Sequence, residues 1–335
     1  MKKTRHAALA ALRPVAAALR PVAAALALAG TLGAAHAAGY PDQPITVVVP
    51  YSAGGGADNA ARIIAQGMGE VAGQSVVIEN KGGASGSIGA AYVARAKPDG
   101  YTVLYDASAF SINPVLRKLP YDAKKDFIPV SQAVSVPNIL VAATGSAFNS
   151  LPDFIKAARA NPGRYTYASY GPGSLAQMAA ELLKKDAKID IVHVPYKGGA
   201  PAIVDVMGGQ VDVYFANAAS SLNYVSTGKL KALAVSSAAR MPDLPNVPTV
   251  SEGGVKAFDV VEWNGFFLPA GADPQVVAKL QDLVQKALAR PETRDKLAKL
   301  GLTPVGSSAA DFSKFVDAEQ VRWAEVVKTN NITVN

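Results

Sequence analysis

Apolar residues along this chain come in short blocks, and their spacing switches between two periods. Ile45-Thr46-Val47-Val48-Val49 is a nearly unbroken apolar run ended by Pro50 and a glycine cluster, which predicts a strand buried on both faces. From Asp58 the period lengthens, and Ile63, Ile64 and Met68 fall on one side of a helix. Val76-Val77-Ile78 predicts a second strand, followed by a glycine/serine loop over 81–86 and a helix carrying Ile88, Tyr92 and Val93. Pro98-Asp99-Gly100 is a turn, and 101–105 is a third strand. Strand–helix–strand–helix–strand with short glycine loops implies parallel strands joined by right-handed crossovers.

The same order returns further on. Residues 165–169 predict a strand, Gly171-Pro172-Gly173-Ser174 a loop, and 175–185 a helix. A strand over 191–194, a loop Tyr196-Lys197-Gly198-Gly199, a helix over 200–207 and a strand over 211–215 follow. The second loops even share letters, Lys81-Gly82-Gly83-Ala84 and Lys197-Gly198-Gly199-Ala200. Two similar α/β halves are the natural reading. After Phe267 helices take over, starting at Asp273-Pro274, at Pro291 and near Asp311. These helices are expected to return to the first half, which makes lobe 1 discontinuous (38–138 and 262–335) and lobe 2 (139–261) inserted. The fold class expected is α/β, two lobes, each a doubly wound and mainly parallel sheet.

The first 37 residues change the charge argument. They carry Lys2, Lys3, Arg5, Arg13 and Arg20 and no acid, then an uncharged Ala/Leu/Val run, with Ala35-His36-Ala37 placing small residues at −3 and −1. This is the pattern of a cleaved Sec signal peptide over 1–37, cut before Ala38, and it predicts a periplasmic protein. The apolar run is shorter than the ~20 residues that span a bilayer. The full chain is +7, from 33 Lys+Arg and 26 Asp+Glu. Losing five bases with the leader leaves 28 against 26, a net of +2. A basic isoelectric point would suggest nucleic acid or an anionic surface, and here that excess belongs mainly to the leader. No nucleic-acid partner is expected, and neither is oligomerisation beyond a monomer.

The side chains present exclude most catalysis. Of three histidines, His6 and His36 leave with the leader, and His193 falls in a predicted strand. One histidine cannot serve a Ser-His-Asp arrangement from such a position, and with no cysteine it cannot build a transition-metal site. There is no Gly-x-Ser-x-Gly elbow and no Walker pattern. Gly54-Gly55-Gly56-Ala57-Asp58-Asn59 has Asn59 where a dinucleotide loop needs its third glycine. No catalytic residue, metal or cofactor is expected, and a hydrolase on the same fold is the least favoured alternative.

What remains is a set of glycine/serine loops between strands and helices, over 52–56, 82–87, 171–174 and 198–199. In open α/β sheets ligands bind at the carboxyl ends of strands, where such loops lie. Each loop presents free backbone N–H groups and the positive end of a helix dipole. Ser52, Ser85, Ser108, Ser169 and Ser174 add hydroxyls, and Gly171 and Asn217 complete the candidate set. Glycine loops also simply make tight turns, but four in matching positions of two halves favour binding. Charge-assisted bonds of about 1.5–3 kcal/mol each add to helix termini of about 0.3–1 kcal/mol. A few of these, less ordering costs, reach the ~−8 kcal/mol of a micromolar carboxylate. Asp58, with Arg62 four residues on, reads first as a capping residue and second as a ligand contact.

At these loops the chain resembles the Bug family, the solute receptors of tripartite tricarboxylate transporters. The resemblance runs from Tyr40-Pro41-Asp42-Gln43-Pro44-Ile45 through Val49-Pro50-Tyr51-Ser52-Ala53-Gly54-Gly55 and Asn80-Lys81-Gly82-Gly83-Ala84. It continues in His193-Val194-Pro195-Tyr196-Lys197-Gly198-Gly199-Ala200-Pro201 and Pro269-Ala270-Gly271. It implies a Venus flytrap of the type II periplasmic kind. It also implies that Tyr51, Ala53, Gly54 and Gly55 face Tyr196, Gly198 and Gly199 across a cleft and hold carboxylates by backbone. The implied partners are a small carboxylate (a di- or tricarboxylate, an amino acid or an aromatic acid) and the permease subunits of the transporter, with a sensor protein as the alternative. Phe110 and Asn223-Tyr224 depart from the family pattern. Either Phe110 and Tyr224 line the cleft and select an aromatic acid, or they pack within a lobe.

Overall fold

Ile45–Val49 (β1) is buried along its length except for Thr46, as a strand covered on both faces must be. The computed structural model describes residues 39–330, 332 and 333, so the predicted leader lies outside the described residues. All the strands lie within the compact unit that begins at Gln43.

In chain order β1 is followed by α1 (Gly56–Ala72), β2 (Val76–Asn80), α2 (Ser87–Ala94), β3 (Thr102–Ala107) and α3 (Ala109–Leu116). A long strand, β4 (Phe127–Ala143), then leads to α4 (Leu151–Ala160), β5 (Thr166–Ser169), α5 (Leu175–Ala187) and β6 (Val192–Pro195). Next come α6 (Gly199–Met207), β7 (Val213–Asn217), α7 (Ala218–Ser226) and β8 (Leu230–Val235). The chain ends with β9 (Val261–Pro269), α8 (Pro274–Ala289), α9 (Pro291–Ala298), β10 (Thr303–Pro304) and α10 (Ala309–Asn330).

Among the described residues eight strands follow one path, β2-β1-β3-β9-β4-β7-β5-β6, and β8 and β10 pair β4 off that path. At one end β2, β1 and β3 run parallel, and at the other so do β6, β5 and β7. The centre is antiparallel: β9 pairs β3 and the first part of β4, and β7 and β8 pair the last part of β4. Along β4 the partner changes from β9 at Pro137 to β7 at Asn138. This is the two-lobed α/β fold, with a mainly parallel outer sheet in each lobe and antiparallel strands between them.

Glycine marks the ends of the helices that matter for the site. α1 starts behind Gly55 and stops at Gly73, which turns left-handed (φ 65°) so that its N–H reaches Gly69 O. The core of the first lobe is aromatic: Phe110, Phe127, Trp263, Phe267 and Phe312 pack with Val48 and Leu104. The helices after β9 close this core from outside. Phe312 of α10 meets Trp263 at 5.5 Å between ring centres.

Candidate functional site

Three helix starts converge on one cavity. Its wall includes Gly55, Gly56 and Ala57 from the start of α1, Gly199 from the start of α6, and Asn217 and Ser220 from the start of α7. Tyr51, Ala107, Tyr170, Tyr214, Glu262 and Asn264 complete it. The glycine loops sit there because each follows a strand end in its half of the fold: Tyr51 to Gly55 after β1, and Tyr196 to Gly198 after β6. The first N–H groups of a helix have no intrahelical acceptor. Neither Gly55 at α1 nor Gly198 at α6 offers a side-chain cap. By contrast, Ser174 and Asp273 cap the starts of α5 and α8 with their own oxygens. The donors facing the cavity are left for something else.

The two lobes meet closely around it. A Cβ on Gly198 would overlap Ser52 Oγ and stand 2.8 Å from Ser52 Cβ, and one on Gly55 would lie 3.9 Å from Gly199 N. A Cβ on Gly171 would overlap Ser85 Oγ. Tyr51 and Tyr170 meet edge to face at 5.7 Å. The cavity leaves about 20 Å3 for the centre of a water molecule, room for one or two waters.

Of the residues proposed from the sequence, Tyr51, Gly55, Gly199 and Asn217 line this cavity. Ser52 and Gly198 lie beside it, at the closure of the two loops. Ala53 and Gly54 are exposed. Gly54 N donates to Asp58 Oδ2 at 2.8 Å, so Asp58 holds the loop from inside its own helix rather than facing a ligand. Asp58 also accepts from Arg62 and Asn80, each at 2.9 Å. Burial pushes its carboxyl up, but the hydrogen bonds from Arg62, Gly54 and Asn80 outweigh this and hold it below the usual carboxylate range.

The remaining hydroxyls are otherwise engaged or stand off the cavity. Ser108 Oγ accepts from Trp263 N at 3.0 Å. Ser169 Oγ sits 2.7 Å from His193 Nε2 and bonds both backbone groups of Gly171, and Ser174 caps α5. Ser85 Oγ is buried opposite Gly171 and has no partner. Tyr196, in the loop before α6, turns its hydroxyl to Asp205 of that helix at 2.6 Å. His193 is half-buried and stacked on Tyr167 at 4.9 Å. Burial pushes its imidazole down to about 4.

Phe110 is placed differently from the expectation that it lines the cleft. It is 1% exposed, stacked on Phe267 at 4.2 Å and edge-on to Phe127 at 5.3 Å. Its ring is committed to the aromatic core because α3 presents it inward, against β9 and β4. Tyr224 is half-buried near the far end of α7 and is absent from the cavity wall. The aromatic surface of the cavity comes instead from Tyr51, Tyr170 and Tyr214.

The sequence reading missed a cluster of buried acids. Glu262 on β9 is 2% exposed; it accepts from Tyr170 Oη and, at 3.0 Å, from Asn217 Nδ2. Asp106 at the end of β3 is 1% exposed and accepts from Tyr51 Oη and Ala107 N, both at 2.7 Å. Asn264 Nδ2 donates to Asp106 O at 3.4 Å. Burial raises both carboxyls; it takes Asp106 up to about 7 against the hydrogen bonds from Tyr51 and Ala107, with a smaller push from the neighbouring Glu262. The available signal was a lone acid inside each of two apolar strands, Thr102–Ala107 and Val261–Pro269, where a charge needs a partner or a purpose.

Two α/β lobes, with uncapped helix starts meeting over one cavity, have the form of a solute-binding protein. A family model described as "Tripartite tricarboxylate transporter family receptor" matches residues 60–332, and the chain belongs to this family of periplasmic solute receptors. It is 34% identical to protein BugT of Bordetella pertussis strain Tohama I over 306 residues, covering 90% of this chain and 94% of BugT. The structure of periplasmic binding protein BugD superposes with a TM-score of 0.84 at 36% identity, covering 88% of this chain and 99% of that one. An R. palustris protein solved with adipate superposes with a TM-score of 0.85 at 35% identity, with the same 88% and 99% covered. No helix among the described residues is long and apolar enough to cross a membrane.

Proposed function

We propose that this chain captures a small carboxylate in the periplasm and delivers it to the permease subunits of a tripartite tricarboxylate transporter. The observation that carries this reading is the convergence of the uncapped starts of α1 and α6 on one cavity. Backbone N–H groups of the Gly55-Gly56-Ala57 and Gly198-Gly199 turns take the carboxylate, aided by the positive ends of both helices. The lobes that close are 38–138 with 262–335, and 139–261, turning where β4 changes partner and where β9 begins. Export removes residues 1–37, so the protein at work begins at Ala38. The adipate in the R. palustris relative supports an acid ligand for this chain too.

A thermal-shift panel of mono-, di-, tri- and aromatic carboxylates beside neutral sugars tests this directly. Occupancy at a hundred times Kd stabilises by about 2.7 kcal/mol, a shift of several degrees. Trp263 follows the cavity-facing Glu262 on β9, so its emission should report the same titration. Stabilisation by sugars and by no carboxylate would remove the reading.

A further inference from the structure

Away from the cavity wall the lobes meet a second time. The turn Gly171-Pro172-Gly173, between β5 and α5, is seated on Ser85, Asn113 and Arg117 of the first lobe. Arg117, directly after α3, donates from Nη2 to Pro172 O. It also donates to Asn113 Oδ1, from Nη2 at 2.6 Å and from Nε at 3.2 Å. Asn113 Nδ2 in turn donates to Ser85 O at 2.9 Å. None of these residues belongs to the cavity wall.

Both sides of this contact are fixed within their own lobe. In the second lobe Gly173 N donates to Gln177 Oε1 at 2.7 Å, and Gly171 is bonded through both backbone groups to Ser169 Oγ at 3.1 Å. In the first lobe Ala84 and Ser85 are both left-handed, at φ 48° and 49°, a conformation that is costly outside glycine. The bond from Asn113 to Ser85 O helps hold it there. The fit leaves no slack. A Cβ on Gly173 would stand 2.6 Å from Asn113 Oδ1 and 2.7 Å from Arg117 Nη2, and one on Gly171 would overlap Ser85 Oγ.

Arg117 is half-buried, and the hydrogen bonds of its guanidinium end on neutral oxygens. Bonds from a charged donor are stronger than those between neutral groups. Asn113 lies on the helix that Arg117 ends and stays with it when the lobes part, whereas Pro172 O leaves. The bond to Pro172 therefore counts only in the closed form. We infer that this contact is a clasp holding the lobes together with or without solute, and that Arg117 is the positioning residue for closure. The inference rests on the lobe closing proposed above and adds to it a contribution independent of the solute. An interaction made in one of two states shifts their populations by its own free energy, and apparent affinity follows the fraction that is competent. Arg117 then sets how firmly any solute is retained without touching it.

The test is a distance measurement on the full-length mature protein. The chain has no cysteine, so Ile88→Cys and Val204→Cys, at exposed positions of α2 and α6 in opposite lobes, carry a unique pair of spin labels for pulsed electron resonance. Without solute the labelled protein should show a short-distance population. Arg117→Ala should reduce it at least five-fold, while Arg117→Lys, which keeps a charged donor, should retain half or more. Gly173→Ala strikes the clasp from the second lobe and should open it likewise, which covers the case in which Arg117→Ala does not fold. A lower melting temperature with unchanged distances would make Arg117 a packing residue and overturn the inference. If succinate, citrate or benzoate shortens the distance while the solute-free native and Arg117→Ala distributions coincide, the clasp falls and the carboxylate reading stands. One fixed distance, indifferent to Arg117 and to all three acids, sinks both.

Discussion

Ser52 Oγ stands in the space that a side chain on Gly198 would occupy, so the glycine loops of the two lobes close without room for a Cβ. Gly198 is also held at φ +150°, where side chains are strained. Gly55, by contrast, has φ −74° and ψ 169°, open to any residue. Gly55→Val should therefore fold, with a small loss of melting temperature because its Cβ would stand 3.2 Å from Ser52 O, and bind at least ten-fold more weakly, because its methyls intrude toward Gly199. Calorimetry on the folded variant checks this; unaltered affinity would move the site elsewhere. Gly198→Val should lose both affinity and some stability.

Asp106 sets a pH dependence of defined sign. Its folded pKa, about 7, lies above its unfolded value near 3.9. Its contribution is full below about pH 4 and is lost as pH rises through 7, because the native state must then bury an anion. Asp106→Asn keeps the oxygen that accepts from Tyr51 and Ala107 but cannot ionise. The variant should gain on the native protein between pH 5 and pH 8, by an amount on the order of a few kcal/mol. Urea melts at the two pH values measure it, and parallel curves would place Asp106 outside the titration.

His193 acts in the opposite direction. With its folded pKa pushed to about 4, it favours the native state above pH 6.5 and withdraws that support as pH falls toward 4. A His193→Gln variant should flatten the acid limb of the melting profile below pH 6 without altering affinity at pH 7.5.

Phe110 belongs to stability rather than to recognition. Phe110→Ala removes a ring stacked between Phe267 and Phe127 and should cost about 3–5 kcal/mol. Phe110→Leu should cost less, and its affinity for a bound acid should stay within two-fold of the native value. A change in ligand preference in the leucine variant would return Phe110 to the cleft.

Asp58 tests the same distinction at the first loop. Removing its carboxylate frees Gly54 N–H and strands Arg62 and Asn80. Asp58→Ala should destabilise by roughly 1.5–3 kcal/mol at pH 7, the scale of hydrogen bonds to a charged group. A ligand series should keep its rank order in this variant.

The strand–helix alternation of both halves was legible because β1 is a continuous apolar run and each loop carries glycine. What the periodicity concealed was β4. Pro129 and Pro137 interrupt its apolar spacing, and proline argues against an interior strand. In the structure a register shift falls at Pro129/Ser131, and Pro137 sits where the partner changes from β9 to β7. Tyr51, Gly55, Gly199 and Asn217 could be read as site residues because loop chemistry is local. Glu262, Asn264 and Tyr170 could not, since their meeting depends on how β9 crosses behind the cleft. Phe110 misled for the same reason: its residue type fits a cleft wall and a core equally, and only the direction of α3 decides.

The partner exchange along β4 bears on how this protein can be cut and rebuilt. The last residues of β4 run between β7 and β8, while its first residues hold β9 and β10. A cut between 138 and 139 would sever this one strand between its two sets of partners, leaving each piece a shortened end of β4 held only by its own neighbours. Anyone grafting this receptor into a reporter should therefore leave 127–143 whole and place fusion junctions in surface turns such as Gly253-Gly254.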